Sequence, residues 1–304
     1  MIFDRKHLTV RSIADRCSLV FGRDAKSGMQ GVPACVAMAK LQAVAECLRN
    51  RTGPAIWFIG GHVFKANVGW YLSDLIQCGY VDHIATTGAG LVHQWELSTE
   101  GQTSEHVPTA IRDGSFGLWK ETGRINELIS EAASRGESIG TRARDFYATY
   151  SSRHSQGPFR AAMDKGIPVT IHVSIGQDVF CEHPNCDGAA LGKAGYQDFL
   201  EFTQTVSRLQ GGVYLSFGSA VASPEIFLKS LAMARNANAG KPNIFSVFVF
   251  DCCPLPADPK DAYFNRPCKT LLGRATVGDN VGFVQAKHEE SIPNLWALLR
   301  EGAA

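Results

Sequence analysis

The densest group of side chains able to do chemistry lies in residues 171–192, which read I-H-V-S-I-G-Q-D-V-F-C-E-H-P-N-C-D-G-A-A-L-G. Carboxylates and imidazoles in one short segment can transfer protons and can hold hydroxyl or amine groups. The segment predicts that Asp178 and Asp187 bind a cofactor and a substrate, with His183 and Asp187 taking part in catalysis. The alternative is that these polar residues only cap the helix that follows.

A metal site in the same segment is a second alternative. Cys181, His183 and Cys186, together with the Cys252-Cys253 pair, could bind zinc in a metal-dependent lyase or hydrolase that uses residues 172–187. Structural zinc sites favour two C-x₂₋₄-C pairs, and the spacing here is irregular. The sequence therefore favours the site without a metal.

His93 and Glu96 form a second candidate catalytic pair. They are three residues apart, which places them on one face if the segment is helical. Such a pair could act as acid and base. The alternative is a buried histidine that simply hydrogen-bonds to a neighbouring carboxylate.

Small residues follow three apolar runs and leave backbone amides open to a ligand. These turns are Gly60-Gly61, Gly88-Ala89-Gly90 and Gly218-Ser219-Ala220. Bare amides at a helix N-terminus favour phosphate, so one dinucleotide could span the three turns. The sequence contains no G-x-G-x-x-G, so the usual dinucleotide fingerprint is missing.

Charged residues near these turns could complete a dinucleotide site. His62 and Lys65 follow the first turn, where the lysine either pairs with phosphate or is a solvated residue at a helix start. Asp251 ends another apolar run, and an acidic residue in that position can bind ribose hydroxyls. We therefore place Asp251 among the predicted cofactor-binding residues.

Six apolar runs are predicted to be the strands that position these side chains. They span 55–59, 81–87, 167–173, 213–217, 244–250 and 281–285. Helical patterns lie at 33–48, 66–78, 119–135, 141–152, 193–210, 224–236 and 289–301, and insertions interrupt the alternation at 98–118 and 252–280. Strands that alternate with helices require crossovers, which predicts a doubly wound α/β fold: a mostly parallel sheet with helices on both faces.

The composition fits a compact protein without a strongly charged surface. The chain has 304 residues, 45% of them hydrophobic and 19% charged, and its net charge of +1 provides no field for nucleic acid or an anionic membrane. No apolar run approaches the roughly 20 residues that span a bilayer, and no secretory signal is visible. We expect a cytoplasmic protein with reduced cysteines and one domain over residues 1–304, of which 1–50 are a helical N-terminal extension.

Several motifs, taken in order, resemble the deoxyhypusine synthase family. The stretch I-A-T-T-G-A-G-L-V-H-Q-W-E at 84–96 is similar to that family's T-T-A-G-G-V-E-E-D segment. I-P-V-T-I-H-V-S-I-G-Q-D at 167–178, F-G-S-A-V at 217–221 and M-A-R-N at 233–236 resemble three further segments. The resemblance covers the chain from about residue 55 to its end.

The resemblance implies a Rossmann-like sheet of the deoxyhypusine synthase type, bound NAD and a homotetramer. Matching by motif assigns NAD contacts to Asp178, to the Gly218-Ser219-Ala220 turn, and to Thr86, Thr87, Gly88, Ala89 and Gly90. The family's catalytic lysine is replaced, because Leu272-Gly273-Arg274-Ala275 occupies its position. A guanidinium stays protonated and forms no ordinary Schiff base. Lys269 is the nearest lysine that could take over the role.

Together these patterns favour an NAD-dependent enzyme that acts on a small cationic amine or amino acid, by oxidation with or without transfer or rearrangement. Hypusine formation is not expected. The predicted carboxylates Glu96, Asp178, Asp187 and Asp251 suit a cationic ligand, since each can pair with an ammonium group. The alternatives are the metal-dependent lyase or hydrolase and a non-catalytic ligand-binding protein of the same fold.

Overall fold

The computed structural model describes residues 3–149, 157–258, 260–261, 265–273, 275 and 280–301. Its strands are β1 (Ser18–Phe21), β2 (Ala55–Ile59), β3 (His83–Thr87), β4 (Gln102–Glu105), β5 (Val169–His172), β6 (Val213–Phe217), β7 (Ser246–Asp251) and β8 (Val281–Gln285). Six of them form one parallel sheet in the spatial order β5-β3-β2-β6-β7-β8. The predicted doubly wound α/β fold is confirmed.

The central strand β2 shows why the sheet is covered on both faces. All five of its residues are buried, and its neighbours β3 and β6 pair with it in parallel register. Trp57 and Ile59 belong to one hydrophobic core, whereas Ile56 and Phe58 belong to a second. Successive side chains of a strand point to opposite faces, so a wholly apolar strand requires helices on each side.

The helices cover the two faces of the sheet. They are α1 (Met38–Asn50), α2 (Gly61–Lys65), α3 (Gly69–Gln77), α4 (Gly88–Thr99), α5 (Val107–Asp113), α6 (Lys120–Gly123), α7 (Ile125–Arg135), α8 (Ile139–Thr149), α9 (Pro158–Lys165), α10 (Gly188–Val206), α11 (Ala222–Ala237) and α12 (His288–Glu301). The first core contains residues of α1, α3 and α12, and the second contains residues of α10 and α11. None of the described helices is both long and apolar enough to cross a membrane.

The N-terminal region differs from the predicted helical extension. α1 begins at Met38 and not at Pro33, whose carbonyl oxygen accepts a hydrogen bond of 2.7 Å from the Asn294 side chain. Ahead of α1, β1 pairs in antiparallel register with β4, which lies within the predicted insertion at 98–118. The residues before α1 are therefore fixed by long-range contacts that no local helical pattern reveals.

Candidate functional site

The strand order places the glycine turns around the centre of one sheet edge. From β2 the chain moves outward through β3 to β5, then returns to the other side of β2 and continues through β6, β7 and β8. The direction reverses between β2 and β6. In open parallel sheets, ligands bind beside the carboxyl ends of the strands at such a reversal. The three predicted turns follow β2, β3 and β6 and so lie on the same edge.

The turns after β2 and β6 are packed against each other. A β-carbon on Gly60 would lie 2.2 Å from the carbonyl oxygen of Gly218, and the Gly60 amide donates to the Phe217 carbonyl at 2.8 Å. Gly218 has a positive φ of 58°, and a β-carbon there would lie 2.4 Å from Nε2 of His288. Close packing of the protein explains glycine at both positions. The surface left for a ligand is at Gly61, Ser219 and Ala220.

The turn after β3 corrects one predicted contact. The hydroxyl of Thr86 is fully buried and donates to the Ile59 carbonyl at 2.5 Å, so Thr86 offers no surface to a cofactor. A β-carbon on Gly90 would lie 1.9 Å from that hydroxyl oxygen, which gives Gly90 a packing role as well. Thr87 is half-buried and Ala89 is exposed, and no side chain caps the first turn of α4. Thr87 and Ala89 are therefore the accessible part of this turn.

Asp178 lies against the start of α4. A β-carbon on Gly88 would lie 2.2 Å from the Asp178 carboxyl carbon, and the Ser174 amide donates to the carboxylate at 2.7 Å. Burial raises the pKa of Asp178 to about 6, although the bond from Ser174 acts in the opposite direction. The carboxylate is ionised at neutral pH and its charge is incompletely compensated. It can accept bonds from hydroxyl groups or pair with an ammonium group.

His93 lies on the next turn of α4, beside Gly61. A β-carbon on Gly61 would lie 3.1 Å from the Ala89 side chain and 3.3 Å from Cδ2 of His93. Burial is the main cause that lowers the pKa of His93 to about 4; Lys65, Arg16 and His62 lower it further, and Glu96 raises it. The imidazole is therefore neutral at pH 7. A neutral imidazole at the ligand edge can accept a proton.

Basic side chains also lie near the Gly61 turn. The rings of His62 and His288 are 5.9 Å apart, and Lys65 ends the short helix α2 that begins at Gly61. Burial, with His62 close by, lowers the pKa of His288 to about 4. Its Nδ1 atom is buried and has no hydrogen-bond partner among the described residues. Sequence reasoning missed His288, since its only local signal is its place at a helix start after β8.

Glu96 is not available for catalysis. Its side chain is 2% exposed, and both of its oxygens bind the guanidinium of Arg16 at 2.9 Å. The hydroxyls of Thr122 and Thr103 donate to the same two oxygens, at 2.5 and 2.7 Å. These bonds occupy the Glu96 oxygens, and we leave Glu96 out of the proposed catalytic residues.

The structure assigns structural contacts to two further predicted catalytic residues in 171–192. Asp187 is the N-cap of α10 and accepts from the amides of Ala189 and Ala190 at 2.8 and 3.3 Å. His183 is 2% exposed, and its Nε2 donates to the Gly117 carbonyl at 2.8 Å. These contacts give both residues a structural role, and their catalytic roles stay predictions that our proposal does not use. Among the predicted site residues of 171–192, Asp178 is the one that lies against one of the three predicted glycine turns.

The zinc alternative on Cys181, His183 and Cys186 is also corrected. One nitrogen of His183 donates to a carbonyl and the other faces Gly123. Burial raises the pKa of both thiols. In the described part of the chain, one group of three ligand atoms lies within 4.8 Å of one another, and it belongs to Asp251, Cys252 and Cys253. A carboxylate oxygen of Asp251 there accepts from the Cys253 amide at 2.9 Å.

Residues 265–273 and 275, around the position of the family's catalytic lysine, belong to the described part of the chain. Lys269 belongs to a single π-helical segment, Pro267–Leu272. Arg274 lies outside the described residues. The replacement of a lysine by Arg274 therefore stays a statement about the sequence.

Solved structures share this fold. AgrE, in a ternary complex with ornithine and NAD+, aligns with 91% of this chain at a TM-score of 0.54 and 18% identity. A candidate LOR/SDH protein from Methanococcus maripaludis S2 aligns with 90% of this chain and 74% of its own, with a TM-score of 0.51 and 14% identity. A candidate deoxyhypusine synthase from Entamoeba histolytica aligns over 88% of this chain and 89% of its own, with a TM-score of 0.51 and 8% identity.

These similarities establish the fold and nothing finer. The chain spans 34% of the length of AgrE, so it corresponds to one part of that protein. No protein-family model matches the sequence, and comparison with curated proteins gives no match either. The fold implied by the resemblance to deoxyhypusine synthase is confirmed, whereas membership of that family stays a prediction.

Proposed function

We propose that this protein is an NAD-dependent enzyme that oxidises a small cationic amine or amino acid. One observation carries the proposal: at the reversal point of the sheet, a neutral imidazole on α4 adjoins the Gly61 turn, and a buried carboxylate adjoins the start of the same helix. His93 contacts the Gly61 turn, and Asp178 contacts Gly88 at the start of α4. The first can accept a proton, and the second can pair with an ammonium group.

The residues at this edge fit a dinucleotide when the charges are considered. The Gly61 turn with Lys65, and the Ser219-Ala220 turn across from it, offer backbone amides and a cation to a diphosphate. Asp178 would repel phosphate from the Gly88 end of α4, so that end suits a ribose hydroxyl or the amine. Thr87, Ala89 and Asp251 remain the proposed contacts with the rest of the cofactor.

NAD, when bound, would supply a hydride acceptor, and the protein would supply orientation and one base. Asp178 holds the ammonium form of the substrate at the Gly88 end of α4. His93, a weak base because burial lowers its pKa to about 4, accepts the proton that the nitrogen must lose before its carbon can release a hydride. AgrE was solved with ornithine and NAD+, and a related AgrE structure contains L-arginine. This chain matches 34% of the length of AgrE, and the basic amino acids bound by AgrE support the proposed class of substrate.

The proposal leaves out hypusine formation and the metal-dependent reaction. Arg274 occupies the position of the family's lysine and forms no ordinary Schiff base. The cysteines and histidine of 181–186 do not form the expected metal site. A homotetramer in the cytoplasm remains our expectation from the resemblance and composition; light scattering on the purified protein tests the tetramer.

Calorimetric titration with NAD tests the proposal. We expect measurable binding heat, and a rise in Tm at millimolar NAD because the cofactor binds the folded state. Lys65→Ala should weaken NAD binding about tenfold, the loss of one charge-assisted contact worth about 1.4 kcal/mol. Lys165→Ala is the matched control, since this exposed lysine ends α9 just before β5, at the opposite edge of the sheet. Absence of both heat and thermal stabilisation with the wild-type protein would overturn the proposal.

A further inference from the structure

Four side chains form a continuous chain of hydrogen bonds from the N-terminal region to the candidate site. The Arg16 guanidinium binds both oxygens of Glu96 at 2.9 Å. Thr103 then joins Glu96 to His93, with its hydroxyl oxygen 2.7 Å from Oε2 of Glu96 and 2.8 Å from Nδ1 of His93. Arg16, Glu96 and Thr103 are buried, so water does not compete for these bonds.

The direction of each bond follows from what each group can donate. A guanidinium carries donors alone, so the Glu96 oxygens that face Arg16 act as acceptors. The single hydroxyl proton of Thr103 is then directed to Glu96. The Thr103 oxygen has only lone pairs left for His93, and so Nδ1 must carry the proton of that bond. The hydrogen bond at one ring nitrogen determines the state of the other.

We propose that Thr103 is a positioning residue that holds His93 as the Nδ1–H tautomer and leaves the Nε2 lone pair free to accept a proton. Nε2 has no hydrogen-bond partner among the described residues. It is next to Cδ2, the ring atom that faces Gly61. The role of Nε2 as the base for an amine rests on the proposed function; the tautomer itself does not.

The charges around His93 are consistent with one tautomer at neutral pH. Burial disfavours a positive charge on His93 most strongly; Glu96 favours that charge, whereas Lys65, Arg16 and His62 all disfavour it. Since burial and these cations keep the imidazole uncharged, its two neutral forms differ mainly in the bond to Thr103. Loss of that bond should therefore change the tautomer without adding a proton.

Nitrogen NMR of the full-length protein labelled with ¹⁵N-histidine tests the inference. The chain has nine histidines, and His93→Gln assigns the signals of His93. At pH 7 the wild-type protein should show a protonated Nδ1 and an unprotonated Nε2. Thr103→Val, which keeps the shape but removes the hydroxyl, should shift most of His93 to the Nε2–H form, and Thr103→Ser should restore the wild-type signals.

Two results would overturn the inference: an Nε2–H tautomer in the wild-type protein, or the same tautomer in Thr103→Val as in the wild type. The tautomer of the wild-type protein can be measured even if Thr103→Val fails to fold. In that case Thr103→Ala replaces Thr103→Val as the variant whose tautomer is compared with the wild type. NAD titration separates this inference from the proposed function. A protein that binds no NAD but shows the Nδ1–H tautomer contradicts the proposed function alone.

Discussion

Gly88 and Asp178 are packed so closely that no side chain fits between them, because a β-carbon on Gly88 would lie 2.2 Å from the Asp178 carboxyl carbon. Gly88 begins α4 directly after β3, and Asp178 lies in the connection that follows β5. The contact therefore joins the ends of two neighbouring strands. It also holds the carboxylate at the start of α4, where the positive end of the helix dipole partly offsets the cost of burial.

Gly88→Ala should displace Asp178 and destabilise the protein. The added carbon overlaps all three carboxyl atoms, and overpacking of this kind costs about 1–3 kcal/mol. Urea unfolding measures the loss. Gly192→Ala in α10 is the matched control, because its added methyl group would have no atom within 4 Å and alanine favours helix by up to about 1 kcal/mol. Equal stabilities for the two variants would contradict the packing role of Gly88.

The stability contribution of Asp178 should depend on pH. Its pKa rises from 3.8 to about 6 on folding. Between those values the folded state keeps a proton that the unfolded state has lost, so stability falls as the pH rises from about 4 to 6. A shift of this size corresponds to roughly 3 kcal/mol as an order of magnitude.

Asp178→Asn removes the titrating group and should remove this fall. The stability of the variant relative to the wild type should increase by up to roughly 3 kcal/mol between pH 4 and pH 7. Urea unfolding at both pH values measures it. A stability difference that is the same at pH 4 and pH 7 would show that burial does not perturb Asp178.

Asp187→Ala should affect stability and leave cofactor binding unchanged. Asp187 accepts from two amides at the start of α10, and losing an N-cap costs about 1 kcal/mol. Asp187→Ser keeps an acceptor and should restore most of the stability. The Tm and the NAD titration together distinguish the two roles. If Asp187→Ala keeps the full stability but loses NAD binding, Asp187 takes part in the cofactor site and not in capping α10.

The sequence was a good guide to the strands and a poor one to the site. Apolar runs that end in glycine, such as the one before Gly60, indicate buried parallel strands because a strand covered on both faces is apolar at every position. β4 was missed because Q-T-S-E has no apolar alternation, and its pairing partner β1 is distant in sequence. A short polar strand that is fixed by a distant partner leaves no local signal.

The roles of single residues at the site could not be predicted from the sequence for one physical reason. Asp187 and His183 carry the same side chains whether they cap a helix, bind a carbonyl or act on a substrate. His93 and Glu96 were correctly placed on one helix, but Thr103, seven residues beyond Glu96, lies between them. Arg16 is 80 residues from the carboxylate that it neutralises. Only the folded arrangement distinguishes these roles.

Arg16→Met should be the most destabilising of these substitutions. It leaves the Glu96 carboxylate buried without its cation, and breaking a buried pair in this way costs about 3–5 kcal/mol. Arg135→Met is the matched control, since Arg135 pairs with Glu131 at 2.8 Å but is 53% exposed, and exposed pairs contribute about 0–1 kcal/mol. Urea unfolding of both variants gives the comparison. Because Glu96 also holds Thr103, a loss for Arg16→Met no larger than for Arg135→Met would contradict the ion pair and weaken the chain of bonds that orients His93.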